Sequence, residues 1–237
     1  MPVDFDSIAD YYDAMYVDPE EYETETEKVR DLVKKYGTSG SDALMDIACG
    51  TGEQSLYLSR YFQVTGLDFS GEMLNVARKK VPAATFVQGD MFDFRMDGRF
   101  GAAVNLYGSI GFAKDYPQML QGLQCAFNCL KQGGVFILTP WGTKETFREG
   151  LIATSRNGDD ISYCRMESVR RLDENRVRVE MVHLVGRNGE IAEHRNEQTV
   201  SLWSEDEYVS ALESSGFSIR ERLGEREFRM GAFVCTK

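Results

Sequence analysis

Histidine and tryptophan are scarce in this chain, two of each in 237 residues, and there are only five prolines and five cysteines. The cysteines (Cys49, Cys125, Cys129, Cys164, Cys235) are odd in number and scattered, which is no disulfide framework and predicts a reducing, cytoplasmic setting. Cys125 and Cys129 share a helical face, but no second pair stands at metal-ligand spacing, so no metal site is expected. Basic residues are outnumbered: 27 Lys and Arg against 38 Asp and Glu give a net charge of −11. That excludes a general nucleic-acid binder, which needs a basic face for phosphates. No apolar run approaches the roughly 20 residues of a membrane helix. The acidic start, Met1-Pro2-Val3-Asp4-Phe5-Asp6, lacks the basic-then-apolar layout of a signal peptide. What remains, 42% hydrophobic and 27% charged residues, is ordinary for a globular chain of one large domain or a domain with an insertion.

The first 40 residues read as a tyrosine-rich lead-in (Tyr11, Tyr12, Tyr16, Tyr22) and a helix on which Val29, Leu32, Val33 and Tyr36 recur at helical spacing. Short apolar runs then suit buried strands: Ala43–Ile47, Val64–Leu67, Thr85–Val87, Ala102–Leu106 and Val135–Leu138. Between them Glu53–Tyr61, Gly71–Lys80 and Tyr116–Leu130 pattern as helices. This alternation predicts an α/β fold with a doubly wound, mostly parallel sheet. From Gly150 the texture changes to period-two alternation over Ile161–Arg171, Arg176–Gly186 and Ile191–Trp203, with turns at Asp173-Glu174-Asn175 and Asn188-Gly189. Three such strands predict an antiparallel layer, inserted after the fifth strand and attached to the main sheet. A helix at Glu205–Ser215 and strands at Phe217–Arg222 and Phe228–Cys235 complete the core. The expected division is residues 1–40, a core of 41–149 with 204–237, and an insertion of 150–203.

The chemistry concentrates at Met45-Asp46-Ile47-Ala48-Cys49-Gly50-Thr51-Gly52, where a strand meets an acid and then a glycine loop that opens a helix. Asp68 ends the next strand, placed to accept both hydroxyls of an adenosine ribose. Gly89-Asp90 ends the third, offering a carboxylate beside an adenine. A dinucleotide loop would carry a third glycine where Ser55 stands, and Asp46 would repel a pyrophosphate. The same acid suits a ligand bearing an ammonium and a sulfonium, which points to S-adenosylmethionine.

With those motifs, and with Gly66-Leu67-Asp68-Phe69-Ser70-Gly71-Glu72-Met73-Leu74, Gln88-Gly89-Asp90-Met91 and Asn105-Leu106-Tyr107-Gly108-Ser109, the chain resembles the class I S-adenosylmethionine-dependent methyltransferases over nearly its whole length. The resemblance implies a Rossmann-like core in which Ala48, Cys49, Gly50 and Gly52 hold the methionyl part by their backbone. It also implies that Asp68, Phe69 and Met73 surround the ribose, that Gly89, Asp90 and Met91 hold the adenine, and that the Leu106 carbonyl meets the methionyl amine. The product would be S-adenosylhomocysteine. Within the class, Tyr11–Tyr16, Gly89–Phe94, Pro140-Trp141 and Glu145-Thr146-Phe147 are similar to the N-methyltransferases of nucleotide-linked amino sugars. The chain departs from that subgroup at Thr139, Val182 and the Arg229–Phe233 segment. A small-molecule acceptor is implied, with an amine as the favoured nucleophile. O- or C-methyl transfer is the nearest alternative, and a nicotinamide-dependent oxidoreductase or a non-catalytic cofactor sensor are more distant ones.

Methyl transfer needs alignment and desolvation, and a base only if the acceptor arrives protonated. Alternation puts His183 on one strand face with Val177, Val179 and Met181, either over the pocket as a base or as a half-buried histidine satisfied locally. The resemblance makes the N-terminal segment a lid. Tyr12 and Tyr22 then either offer hydroxyls to acceptor or cofactor, or pack as aromatics. Tyr107 stands at the substrate-side station. Trp141 either walls the acceptor pocket or caps the core. Arg165, Arg170, Arg171, Arg176 and Arg178 are either a phosphate clamp or a solvated sheet face. Monomer and homodimer are both open.

Overall fold

The computed structural model describes residues 5–16, 18–158 and 160–237; the acidic start read at Met1–Asp4 lies outside them. Strands β1 (Ala43–Ile47), β2 (Gln63–Asp68), β3 (Thr85–Gln88), β4 (Phe100–Asn105), β5 (Leu130–Leu138), β10 (Ser218–Leu223) and β11 (Ala232–Thr236) form one sheet in the order β10-β11-β5-β4-β1-β2-β3. Strands β1 to β5 pair in parallel, and β11 runs antiparallel to both β5 and the edge strand β10. Helices α2 (Pro19–Tyr36), α3 (Glu53–Leu58), α4 (Gly71–Lys80), α5 (Tyr116–Cys129) and α6 (Glu205–Ser214) cover its two faces. Alternate residues of the central strand feed opposite layers. Met45 and Ile47 join Phe136, Leu123 and Tyr208 on one side, while Leu44 joins Val29, Leu58 and Val104 on the other. The chain leaves β1 toward β2 and β3, then returns to β4 on the far side. Between β1 and β4 the crossovers diverge and open a crevice at the strand C-termini.

Helix boundaries follow local chemistry. The Asp18 carboxylate caps α2 by accepting from the N–H groups of Glu20 and Glu21, with Pro19 at the first position. Ser204 and Glu207 make a reciprocal capping box on α6. Ahead of α2, a 3-10 turn (Asp6–Tyr11) and α1 (Tyr12–Tyr16) form the lead-in.

Residues 150–201 build a second sheet of four antiparallel strands: β6 (Gly150–Asn157), β7 (Ser162–Arg171), β8 (Arg176–Arg187) and β9 (Glu190–Ser201). The Asn188-Gly189 hairpin turns as expected, with both residues at positive φ (54° and 81°). Two expectations are corrected. There are four strands, not three, because β6 is an edge strand exposed along nearly its whole length and carries no apolar alternation. The layer is a sheet of its own, meeting the core through side-chain packing, and the segments entering and leaving it are joined by an isolated bridge between Thr143 and Trp203.

Candidate active site

The loop after β1 is wound by left-handed residues: Ala48 at φ 61°, Gly50 at 54° and Gly52 at 73°. A Cβ on Gly52 would press within 2.9 Å of the Ala77 Cβ, whereas one on Gly50 would meet nothing within 4 Å. Gly52 is therefore fixed by packing of the loop on α4, and Gly50 borders open space. Among the described residues four non-glycines take positive φ, and three of them, Ala48, Tyr107 and Met230, lie at or beside the crevice. Such conformations cost about 1–3 kcal/mol each and persist where surrounding structure enforces them.

Three carboxylates line the strand ends. Asp68 accepts from the N–H of Gly50 (2.8 Å) and of Ser70 (2.9 Å), so it organises the glycine loop and the start of α4 together. Burial raises its pKa, and those two N–H bonds pull it back. Asp46 is buried, with one oxygen accepting from the Ser55 hydroxyl (2.6 Å) and, among the described residues, no cation paired with it; burial lifts its pKa to about 6. Asp90 accepts from the Phe92 N–H (2.9 Å) at the end of β3. Phe69, at 76% exposure, presents an apolar ring beside Asp68. At the end of β4 the Asn105 amide donates to the Ile47 carbonyl (2.9 Å), while its own oxygen is buried without a partner next to a water-sized cavity that Met91 also lines. A buried anion without a cation, an exposed ring and an orphaned acceptor around one open loop fit an adenosine ligand with a positively charged tail.

The lead-in is fastened over this loop. Asp13 accepts from Thr51 (2.5 Å) and pairs with Lys80 (2.5 Å), which also pairs with Glu53 (2.7 Å). Asp6 accepts from the Ser70 hydroxyl. Tyr12 therefore lies near Asp68, in ring contact with Tyr16 (4.7 Å), and burial pushes its phenol well up. Tyr22, 6% exposed, packs its ring at a tilt against Tyr107 at 5.0 Å, and the Tyr107 hydroxyl donates to Gln54 (2.9 Å). Met73 is buried under the lead-in with Ile8 and Met15. A side chain on Gly108 would collide with the Trp141 backbone at 2.4 Å, so the β4 and β5 ends are tightly joined, and Trp141 packs outward onto Phe147 and the second sheet.

The inner face of that sheet is apolar at both ends, Val169, Val177, Val179 and Val200 at one and Tyr163 with Val185 at the other. Between them runs a polar band set by register: Arg165 opposite His183 and His194, and Glu167 opposite Met181 and Asn196. Arg165 lies over the Tyr16 ring at 4.8 Å and pairs with Glu167 at 3.5 Å, both side chains about seven-eighths buried. Three atoms of the band are buried without partners: Arg165 Nε, His183 Nε2 and Asn196 Nδ2. Of the five arginines singled out in the sequence, Arg165 alone lies in this band; Arg176 and Arg178 pair with Asp173 and Glu197 in solvent.

Thus Asp46, Ala48, Cys49, Gly50, Gly52, Asp68, Phe69, Gly89, Asp90, Leu106 and Tyr107 lie at or just beyond the C-terminal ends of β1 to β4, where Tyr12, Tyr22 and Met73 meet the lead-in and α2, while Met91 lines the small cavity beside Asn105 and Trp141 faces the second sheet. The Cys49 thiol is turned against Gly66, leaving its backbone for the loop. His183 is elsewhere. It faces inward as the alternation predicts, but is wholly buried, with Nδ1 bound to the Tyr163 hydroxyl (2.8 Å). Burial, helped by Arg165 and His194, lowers its pKa to about 4, so it stays neutral at physiological pH. Sequence reasoning passed over Glu25, which shares the Val29, Leu32 and Tyr36 face of α2 and is buried there; that spacing was the available signal.

Residues 44–134 match a family model described as a methyltransferase domain. Over 232 residues the chain is 32% identical to the dTDP-3-amino-3,4,6-trideoxy-alpha-D-glucopyranose N,N-dimethyltransferase of Streptomyces venezuelae, covering 95% of this chain and 96% of that one. Among solved structures it matches Streptomyces venezuelae DesVI with a TM-score of 0.88 at 31% identity, covering 96% and 97% of the two chains. It also matches S-adenosylmethionine-bound CalS10, an amino pentose methyltransferase from Micromonospora echinaspora, with a TM-score of 0.81 at 25% identity over 91% of each. Full-length likeness at this level, on a crevice shaped for a cationic adenosine ligand, makes the chain a member of the S-adenosylmethionine-dependent methyltransferases.

Proposed function

We propose that this enzyme methylates the amine of a nucleotide-linked amino sugar. The observation that carries the reading is the polar band, whose orphaned donors and acceptors lie inside an otherwise apolar contact between the lead-in and the second sheet. Buried polar atoms without partners cost stability, so a band of them is where a polar ligand belongs. The full-length likeness to enzymes named for amino sugars gives that ligand its class.

Asp68 would hold the ribose, Asp90 and Met91 the adenine, Asp46 the positive tail, and the Ala48–Gly52 backbone with the Leu106 carbonyl the methionyl end. When bound, the cofactor supplies a methyl group already activated by positive sulfur. The chain's own work is alignment and exclusion of water. Residues 1–40 act as a lid latched through Asp13 and Asp6, with Tyr12 and Tyr22 over the reacting groups. Residues 150–203 cover the acceptor, with Arg165 as its phosphate partner and Trp141 as its wall. His183, neutral and bound to Tyr163, positions the band and is too weak a base to deprotonate an amine.

The test is incubation with methyl-labelled S-adenosylmethionine and dTDP-linked 3- and 4-amino sugars. Label on the sugar nitrogen is the expected outcome. Label on a hydroxyl or ring carbon, or transfer only to acceptors without phosphate, would replace the reading.

A further inference from the structure

Helix α2 buries an acid on its apolar face. Glu25 is 3% exposed, and neither of its buried carboxylate oxygens is closed by a well-aligned hydrogen bond, the Tyr107 hydroxyl and the Arg229 backbone N–H lying beside them. A carboxylate without an ion-pair partner, in a helix otherwise packed by Val29 and Leu32, costs stability. Its neighbours place it at the crevice. Burial raises its pKa, while the Tyr107 hydroxyl, Arg229 and Lys28 lower it again; Tyr22 lies on the same side. Tyr107 is the left-handed residue two positions past the end of β4, and Arg229, over the Tyr107 ring at 5.7 Å, precedes the left-handed Met230. Arg229 itself is drawn to Glu21 (2.6 Å), and Lys28 to the Glu227 carbonyl, so neither closes an ion pair with Glu25. The glycine-loop side already has its own buried acid in Asp46. A second one, across the crevice and beside the substrate-side strand end, is placed for a second cation.

We infer that Glu25 is the base for the acceptor amine. An amino sugar enters mostly as its ammonium. The Glu25 carboxylate pairs with that charge, the N–H bond breaks, the proton passes to a Glu25 oxygen, and the electron pair left on nitrogen is free to take the methyl group. The methylated product carries the positive charge away, and Glu25 returns its proton to solvent once the crevice opens. A carboxyl raised by burial is better matched to this transfer than an ordinary one. The assignment rests on the amine reading of the acceptor.

Glu25→Gln keeps the size and removes the charge, so the variant should fold. The experiment compares wild type, Glu25→Gln and Glu25→Asp for kcat/KM on the amino sugar across pH, and for S-adenosylhomocysteine affinity by calorimetry. Expected for Glu25→Gln is a loss of about a hundredfold or more near neutral pH. The loss should shrink as alkaline pH supplies free amine, Glu25→Asp should retain part of the activity, and cofactor affinity should stay within about twofold. A fully active Glu25→Gln overturns the assignment, as does a parallel loss of cofactor affinity or a loss that persists unchanged at high pH. Failure of the wild type to methylate any amine would instead remove the amine reading itself.

Discussion

The two sheets solve opposite problems. Around the cofactor crevice the chain orients its acids, Asp68 by two backbone N–H groups and Asp46 by Ser55, and leaves buried acceptors open at the Asn105 oxygen and Glu25. On the inner face of the second sheet, Arg165, His183 and Asn196 each keep a buried atom unmatched. The crevice thus leaves acceptors open around a loop its own acids hold in shape, while the band leaves a guanidinium, an imidazole and an amide nitrogen open. That difference is what a family with a fixed cofactor and varied acceptors requires, and substitutions should respect it.

The largest separation is expected from Asp68→Ala. It removes two N–H bonds to a charged group and a ribose anchor, each worth about 1.5–3 kcal/mol. S-adenosylhomocysteine affinity measured by calorimetry should fall at least about tenfold, whereas acceptor specificity should be unaltered. An unchanged affinity would remove Asp68 from the site. Arg165→Met tests the other half. It should raise the acceptor KM about tenfold or more and leave cofactor affinity within about twofold. Equal effects on both ligands would dissolve the division.

Asp46→Asn sharpens the comparison by setting stability against binding. The folded carboxyl holds its proton to about pH 6, against an ordinary value of 3.8, so the folded state binds more protons than the unfolded one between those values. The contribution of this group to stability is therefore present below pH 3.8 and lost as pH rises through 6. At pH 7.5 the asparagine variant should be more stable by about 1–2 kcal/mol in thermal denaturation and bind the cofactor more weakly. His183 behaves in the reverse sense. Its folded pKa of about 4 lies below the ordinary 6.5, so the stability it supports is present above 6.5 and drains as pH falls toward 4. His183→Gln should flatten that decline, by about 1–2 kcal/mol, while changing turnover at neutral pH only as far as the band shifts. An abolished turnover with intact folding would make His183 a participant in the chemistry.

What the amino-acid sequence disclosed follows the same line. Strands β1 and β4 and the second half of β5 are buried on both faces and read as apolar runs; β1 and α4 match their expected limits at both ends, and the glycine loop with Asp68 and Asp90 marks the crevice directly. The second sheet was legible where alternation separates its faces, over β7 to β9. It was illegible at β6, whose side chains are solvated on both sides. His183 shows the limit of alternation: a period of two gives the face a side chain points to but not what lies against it, here Tyr163 rather than the crevice. Glu25 was legible in principle, as an acid in register with Val29, Leu32 and Tyr36, yet amphipathic helices carry so many acids that only burial distinguishes this one.

The most direct measurement is a crystal structure of the ternary complex with S-adenosylhomocysteine and a dTDP-linked amino sugar. The account predicts the acceptor between the lid and the second sheet, its phosphates against Arg165, its ring beside Trp141 and its nitrogen near Tyr107 and Glu25. An acceptor bound elsewhere, for instance in the surface cleft between Lys35, Arg220 and Lys237, with the polar band left dry, would contradict it.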